Sequence, residues 1–167
     1  MSEQRSSWRI EQVIPSDTAA GKRLLDEILA QLAVHHWTQR DIFGVHLAME
    51  EALVNAIKHG NCSDLAKCVH VVCQVSRERM SVVIRDEGPG FNPDNVPDPT
   101  DPDNLEIPSG RGVLLMRSFM SSVEYNGAGN CVTMTKDCGT KDCGTKDCGT
   151  KDCGTKDRGK QEDASQD

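Results

Sequence analysis

Residues 68–91 read CVHVVCQVSRERMSVVIRDEGPGF. Two Val-rich runs, Cys68–Val75 and Met80–Arg85, flank the short polar stretch Ser76-Arg77-Glu78-Arg79. β-Branched residues on both sides of so short a connection predict an antiparallel hairpin. A hairpin of this kind needs no crossover helix, so it argues against an alternating parallel α/β architecture and for a mainly antiparallel sheet. Its second strand runs directly into Asp86-Glu87-Gly88-Pro89-Gly90-Phe91, where Pro and Gly end the extended run.

Upstream of the hairpin, Trp8–Ile14 (WRIEQVI) alternates apolar and polar residues as a half-buried strand does, and Pro15-Ser16-Asp17 stops it. Leu24, Leu25, Ile28, Leu29 and Leu32 then recur at helical spacing, which predicts a helix from Thr18 to about His36 with Ser16 or Asp17 as its N-cap. A second helix is expected from Thr38, with Asp41 three residues on, to Lys58, where His59-Gly60 supplies the stop. Its apolar face comprises Val45, Ala48, Met49, Ala52 and Ala56. Downstream, residues 87–111 are rich in Pro, Asp and Gly and read as one long loop, a length that usually serves function. A short apolar helix, Val113–Met120, follows, then strands near Val123–Tyr125 and Cys131–Thr135 around a turn at Asn126-Gly127-Ala128-Gly129. The order β-α-α-β-β-α-β-β predicts an α+β two-layer sandwich, with one mixed, mainly antiparallel sheet and helices on one face.

The chain has 167 residues and a net charge of −7, nearly all of it before residue 136. An acidic domain lacks the electrostatic footprint for phosphate backbones or anionic lipid, which argues against nucleic acid and membrane as partners. The start, MSEQRSSWRIEQ, has no apolar signal segment, so a cytoplasmic location is expected. From Lys136 to Thr155 the pentapeptide Lys-Asp-Cys-Gly-Thr repeats four times. With little to bury, residues 137–167 are expected to form a disordered tail behind a folded domain of residues 1–136. A spacing of five between Cys138, Cys143, Cys148 and Cys153 does not suit a zinc site, and Cys62, Cys68, Cys73 and Cys131 read as reduced thiols.

Three clusters carry the chemistry. In the first, Glu51 and Asn55 stand one helical turn apart, with Lys58 beyond them. A carboxamide oxygen can ligate a hydrated magnesium ion while a neighbouring carboxylate accepts a proton. The plainer reading is a solvated helix end. In the second, Asp86 closes a strand beside Gly88 and Gly90, whose small size lets a planar ring approach a carboxylate able to accept a hydrogen bond from an exocyclic amine. A simple turn has the same composition. In the third, Ser109-Gly110-Arg111-Gly112 precedes the apolar helix and offers backbone N–H groups to a phosphate. His35, His36, His46 and His70 share no ligand spacing and read as structural or solvated, and Met116, Phe119 and Met120 as core.

In this order, EALVNAIKHG (residues 51–60), DEGPGF (86–91) and SGRGV (109–113) resemble the N, G1 and G2 boxes of the GHKL ATPases, and within them most resemble the anti-sigma factor serine/threonine kinases. The resemblance spans residues 8–136 and implies the Bergerat fold with ATP and Mg²⁺. It implies that Asn55 ligates the metal, Asp86 recognises adenine, Gly88 and Gly90 shape its pocket, Gly110 and Gly112 meet the phosphates, and Lys58 and Arg111 supply positive charge. Glu51 would be the general base, and the partners an anti-sigma factor antagonist and a sigma factor, with a homodimer as the expected assembly. Two departures stand out: Gly129-Asn130-Cys131 replaces a Gly-Thr start of the last strand, and the long loop carries Asp94, Asp98, Asp101, Asp103 and Glu106. Those carboxylates are expected to face away from a triphosphate. Two other readings are an ATP-dependent binding switch without catalysis and a histidine-kinase-type domain, the latter disfavoured by the short segment before the first box.

Overall fold

A computed structural model describes residues 6–92 and 108–139. The alternating segment Trp8–Pro15 is β1, followed by the helices α1 (Thr18–Val34) and α2 (Gln39–Val54). A π-helical turn, Asn55–Gly60, continues α2. The hairpin forms as β2 (Cys68–Val75) and β3 (Arg79–Arg85), and α3 (Pro108–Phe119), β4 (Ser122–Tyr125) and β5 (Cys131–Asp137) complete the described chain. The five strands form one sheet in the order β1-β2-β3-β5-β4. All four pairings are antiparallel, so the sheet is not mixed.

Alternation along the strands sorts the sheet into two faces. Val69, Val71, Cys73 and Val75 of β2, Met80, Val82 and Ile84 of β3, and Val132 and Met134 of β5 are buried in one core with the helices. Leu24, Leu25, Ile28 and Leu32 of α1 and Val45, Ala48, Met49 and Ala52 of α2 enter it from the helical layer. Truncating one of the Leu, Ile or Met side chains among these to Ala costs about 2–5 kcal/mol, through lost transfer energy and the cavity left behind. Arg9, Glu11, Val13, His70, Gln74 and Arg85 lie exposed on the opposite face. Burial pushes the Cys73 thiol up to about 12, and no disulfide joins any two of the described cysteines.

The helix starts follow their caps. Asp17 accepts from the Ala19 N–H at 3.2 Å and Thr38 from the Asp41 N–H at 3.1 Å. Ser16 does not cap α1; it is buried and donates to the Lys67 carbonyl at 2.7 Å. α1 ends at Val34, short of His36, because His36 turns into the left-handed region at φ 62°. α3 begins at Pro108, so residues 108–112 belong to its first turns and not to the preceding loop. A proline there is tolerated because the first helical N–H groups have no partner within the helix. The acidic positions Asp94, Asp98, Asp101, Asp103 and Glu106, and the repeats beyond Gly139, lie outside the described residues.

The last strand reaches further than its Val-Thr-Met pattern indicates. β5 runs to Asp137, whose carboxylate receives the Arg79 guanidinium at 2.7 Å, and the Cys138 N–H donates to the Glu78 carbonyl at 2.8 Å. Cys138 is 4% exposed, and the Gly139 N–H donates to Asp41 Oδ2 at 3.0 Å. The residues Lys136–Gly139 of the first repeat, expected at the edge of the tail, are thus part of the packed domain.

Candidate functional site

The π-helical turn decides what the second helix presents. At Gly60 the turn widens from four residues to five: the Asn61 N–H bonds the Ala56 carbonyl at 2.9 Å. In a turn of that width the residue four positions after Asn55 lies beneath it, and the residue three positions after is swung aside. His59 accordingly lines the cleft with Asn55, whereas Lys58 is exposed and does not. Such insertions cluster at functional sites because they re-aim side chains without ending the helix.

Asp86 sits at the floor of this cleft, 9% exposed. Its N–H donates to the Asn130 carbonyl at 2.9 Å, and Oδ1 accepts from the Gly88 N–H at 2.8 Å. Burial pushes its carboxyl above the usual carboxylate range, against the lowering pull of the Gly88 N–H, its own N–H and the charge of Lys67. Gly60 packs directly on that carboxyl: a Cβ there would stand 2.4 Å from Asp86 Cγ. A Cβ on Gly88 would in turn meet the Gly60 carbonyl oxygen at 2.0 Å. The end of the π-turn and the end of β3 therefore touch backbone to backbone, which only glycine permits.

The far wall is built where residues 90–92 cross the β4–β5 turn. Gly90 and Gly129 both have φ of 75°, and a Cβ on either would strike the other segment's carbonyl, Ala128 or Phe91, at under 2 Å. The Phe91 ring meets that of Tyr125 edge-on at 5.0 Å between centroids, and both line the cleft. Burial pushes the Tyr125 phenol up to about 12. Asn130 also lines the cleft, but its carboxamide oxygen accepts from Asn126 Nδ2 at 2.8 Å inside the turn. The cleft has a volume of about 490 Å³, closed below by Ala52, Ala56, Ile84, Val113 and Val132. An apolar recess of that size with one convergent buried carboxylate suits a flat heteroaromatic group carrying a hydrogen-bond donor.

Glu51, Asn55 and Gly112 meet beside the cleft, and of the three Asn55 lines it. A Cβ on Gly112 would stand 2.8 Å from Glu51 Oε2 and 3.3 Å from Asn55 Nδ2, so the backbone of α3 passes against both side chains. Two of the three motif clusters, 51–60 and 109–113, are joined by this contact, and Gly60 on Asp86 joins the first to 86–91. Gly110 lies on the first turn of α3, and Arg111 is exposed and does not line the cleft. His59, Phe91 and Tyr125 line the cleft but were not singled out by motif reading. Tyr125 lies in a strand and reads as core, Phe91 reads as the end of a turn, and His59 reads as part of a helix stop.

A model of the histidine kinase-like ATPase domain matches residues 14–136. The chain belongs to the histidine kinase-like ATPase family. The chain is 31% identical to an anti-sigma F factor of Clostridium perfringens over 140 residues, 81% of this chain and 91% of that one. It is 31% identical to an anti-sigma F factor of Oceanobacillus iheyensis, covering 59% and 71%. It is 30% identical to the serine/threonine-protein kinase BtrW of Bordetella bronchiseptica over 53% of this chain, and spans 64% of that kinase. Among solved structures, the RsbU and RsbW domains of a Mycobacterium tuberculosis protein share the fold, with a TM-score of 0.54 at 14% identity. That match covers 78% of this chain and 32% of the other, so the chain spans about a third of it. A cleft with a buried carboxylate facing an apolar recess agrees with an ATP-binding member of the family. Among the described residues, no helix is long and apolar enough to cross a membrane.

Proposed function

We propose that this histidine kinase-like ATPase domain is a serine/threonine-protein kinase acting as an anti-sigma factor, which transfers the γ-phosphoryl group of ATP to a hydroxyl of an antagonist protein. The observation that carries this reading is the convergence of Glu51 and Asn55 on the backbone of Gly112. In this reading a carboxylate able to accept a proton, a carboxamide able to ligate a metal and the first turns of a helix come together beside a recess suited to a base, which Asn55 lines. Asp86 receives the exocyclic amine of adenine, Gly88 and Gly90 let the ring approach, Gly110 in the first turn of α3 presents its N–H to the phosphates, and Gly112 lets the α3 backbone pass close to Glu51 and Asn55. Among the described residues no three His, Cys, Asp or Glu side chains group as a metal cage. Asn55 fits a magnesium ion that arrives with a triphosphate, since Mg²⁺ takes few protein ligands and keeps phosphate and water for the rest. When bound, that ion neutralises phosphate charge.

Glu51 accepts the proton of the attacking serine or threonine hydroxyl as its oxygen bonds to the γ-phosphorus; the bond from that phosphorus to the bridging oxygen breaks, and ADP leaves. Lys58 and Arg111, both exposed and outside the cleft lining, are the cations this reading assigns to phosphate charge. Names of relatives at about 30% identity, an anti-sigma F factor and a protein kinase, support this class of partner and reaction. Glu51→Gln tests it: with a co-encoded antagonist and labelled ATP, transfer should fall at least a hundredfold while ATP affinity stays within about threefold, the range expected for loss of a general base. A wild-type protein that binds ATP yet labels no such partner would replace the kinase with a nucleotide-dependent binding switch.

A further inference from the structure

Asn61 stands outside every motif cluster, yet it has 0% exposure and its side chain uses all of its strong hydrogen-bonding directions but one. Nδ2 donates to Ser16 Oγ at 2.9 Å and to the Cys68 carbonyl at 3.0 Å, and Oδ1 accepts from the Glu87 N–H at 2.8 Å. The carboxamide has one orientation only, because the Cys68 carbonyl can only accept and the Glu87 N–H can only donate. Ser16 passes the chain of bonds to the Lys67 carbonyl, and the Glu87 carboxylate takes the Cys68 N–H. One amide thereby ties the end of β1, the start of β2 and the residue after Asp86 to the end of the π-turn that carries Asn55 and His59.

Asp86 is held on its N-terminal side by the Asn130 carbonyl and from the helical side by contact with Gly60. Its C-terminal neighbour, Glu87, is held by Asn61. We infer that Asn61 is a positioning residue of the nucleotide site: through the Glu87 N–H it fixes where the Asp86 carboxylate stands relative to the helix bearing Asn55, and so sets the selectivity for an amino-substituted base. This rests on the ATP-binding reading above. Loss of Asn61 leaves the Glu87 N–H without its buried acceptor, and the strand end is free to move away from Gly60.

Three variants separate positioning from mere support: Asn61→Ala, Asn61→Asp, which keeps an acceptor for Glu87, and Ser16→Ala, which removes one bond of the network remote from Asp86. Affinities for ATP and GTP are measured by titration calorimetry at a temperature where circular dichroism shows each variant folded. Ser16→Ala should lower the melting temperature but keep the ATP-over-GTP preference within about twofold. Asn61→Ala should reduce that preference about tenfold, an amount in keeping with one charged hydrogen bond put out of place, and Asn61→Asp should retain more of it than Asn61→Ala. An Asn61→Ala protein with wild-type preference overturns the inference. So does a preference that falls equally in Ser16→Ala, or, if Asn61→Ala does not fold, an Asn61→Asp preference no better than that of Asp86→Asn. A wild-type protein that binds neither nucleotide removes the ATP-binding reading itself, a different outcome from a wild type that binds and a variant that binds alike.

Discussion

Asp86 is a charge kept in a place that disfavours charge. Its carboxyl is raised above the ordinary value of 3.8 by burial, so the folded protein holds that proton more tightly than the unfolded chain does. The contribution to stability is therefore complete below pH 3.8 and is lost as pH rises through the folded value. In urea unfolding between pH 4 and 7, Asp86→Asn should flatten this loss and leave the empty protein as stable as wild type or more so. The same substitution should weaken ATP at least tenfold, because a hydrogen bond to a charged group contributes about 1.5–3 kcal/mol. ATP affinity of the wild type should rise as pH climbs through the raised carboxyl value and the carboxylate ionises. The place of Asp86, at a strand end packed by glycines, was legible from residue types alone. Tyr125 and Phe91 were not, because whether an aromatic faces core or cleft depends on which turn crosses which, and no local pattern records that.

The helix caps, the hairpin and the turn at residues 126–129 follow local chemistry, and their sequence reads correctly because nothing tertiary opposes it. The π-turn does not. Asn55-Ala-Ile-Lys-His-Gly60 has ordinary helical composition, and the fifth residue is admitted by contacts made elsewhere: Gly60 against Asp86, and Asn61 in its buried network. Likewise the glycines of residues 109–112 read as loop, yet they sit in α3, where Gly112 leaves room for Glu51. The crossing of residues 90–92 over the β4–β5 turn gives the sharpest test at this scale. Gly90→Ala and Gly129→Ala each combine a left-handed backbone with a carbonyl in the way, and each should cost about 2 kcal/mol or more, beyond the left-handed penalty alone. Gly127→Ala, with nothing within 4 Å of its Cβ, is the near-neutral control. Urea midpoints compare the three, and the two costly variants should also weaken ATP, since they open the wall carrying Phe91.

At the scale of the whole molecule, one sheet, one helical layer and one core hold the site between them, and the packed contacts of the described chain reach into the first Lys-Asp-Cys-Gly-Thr unit. Lys136 donates to the Phe119 carbonyl at 2.6 Å, Asp137 meets Arg79, Cys138 is buried, and Gly139 is held by Asp41. Ending the chain after Thr140 should leave the melting temperature within about 2 °C of the full-length value. Ending it after Thr135 removes these contacts and a core side chain, and should lower it by about 5–10 °C in a scanning calorimeter. These contacts were hidden because a repeat looks uniform, and composition does not mark out the copy that directly continues β5. The four copies are identical from Lys136 to Thr155, so losing any one whole unit yields the same shortened chain, always with a copy in the docked position. The contacts that Lys136, Asp137, Cys138 and Gly139 make with Phe119, Arg79, Glu78 and Asp41 are therefore open to every such shortened chain.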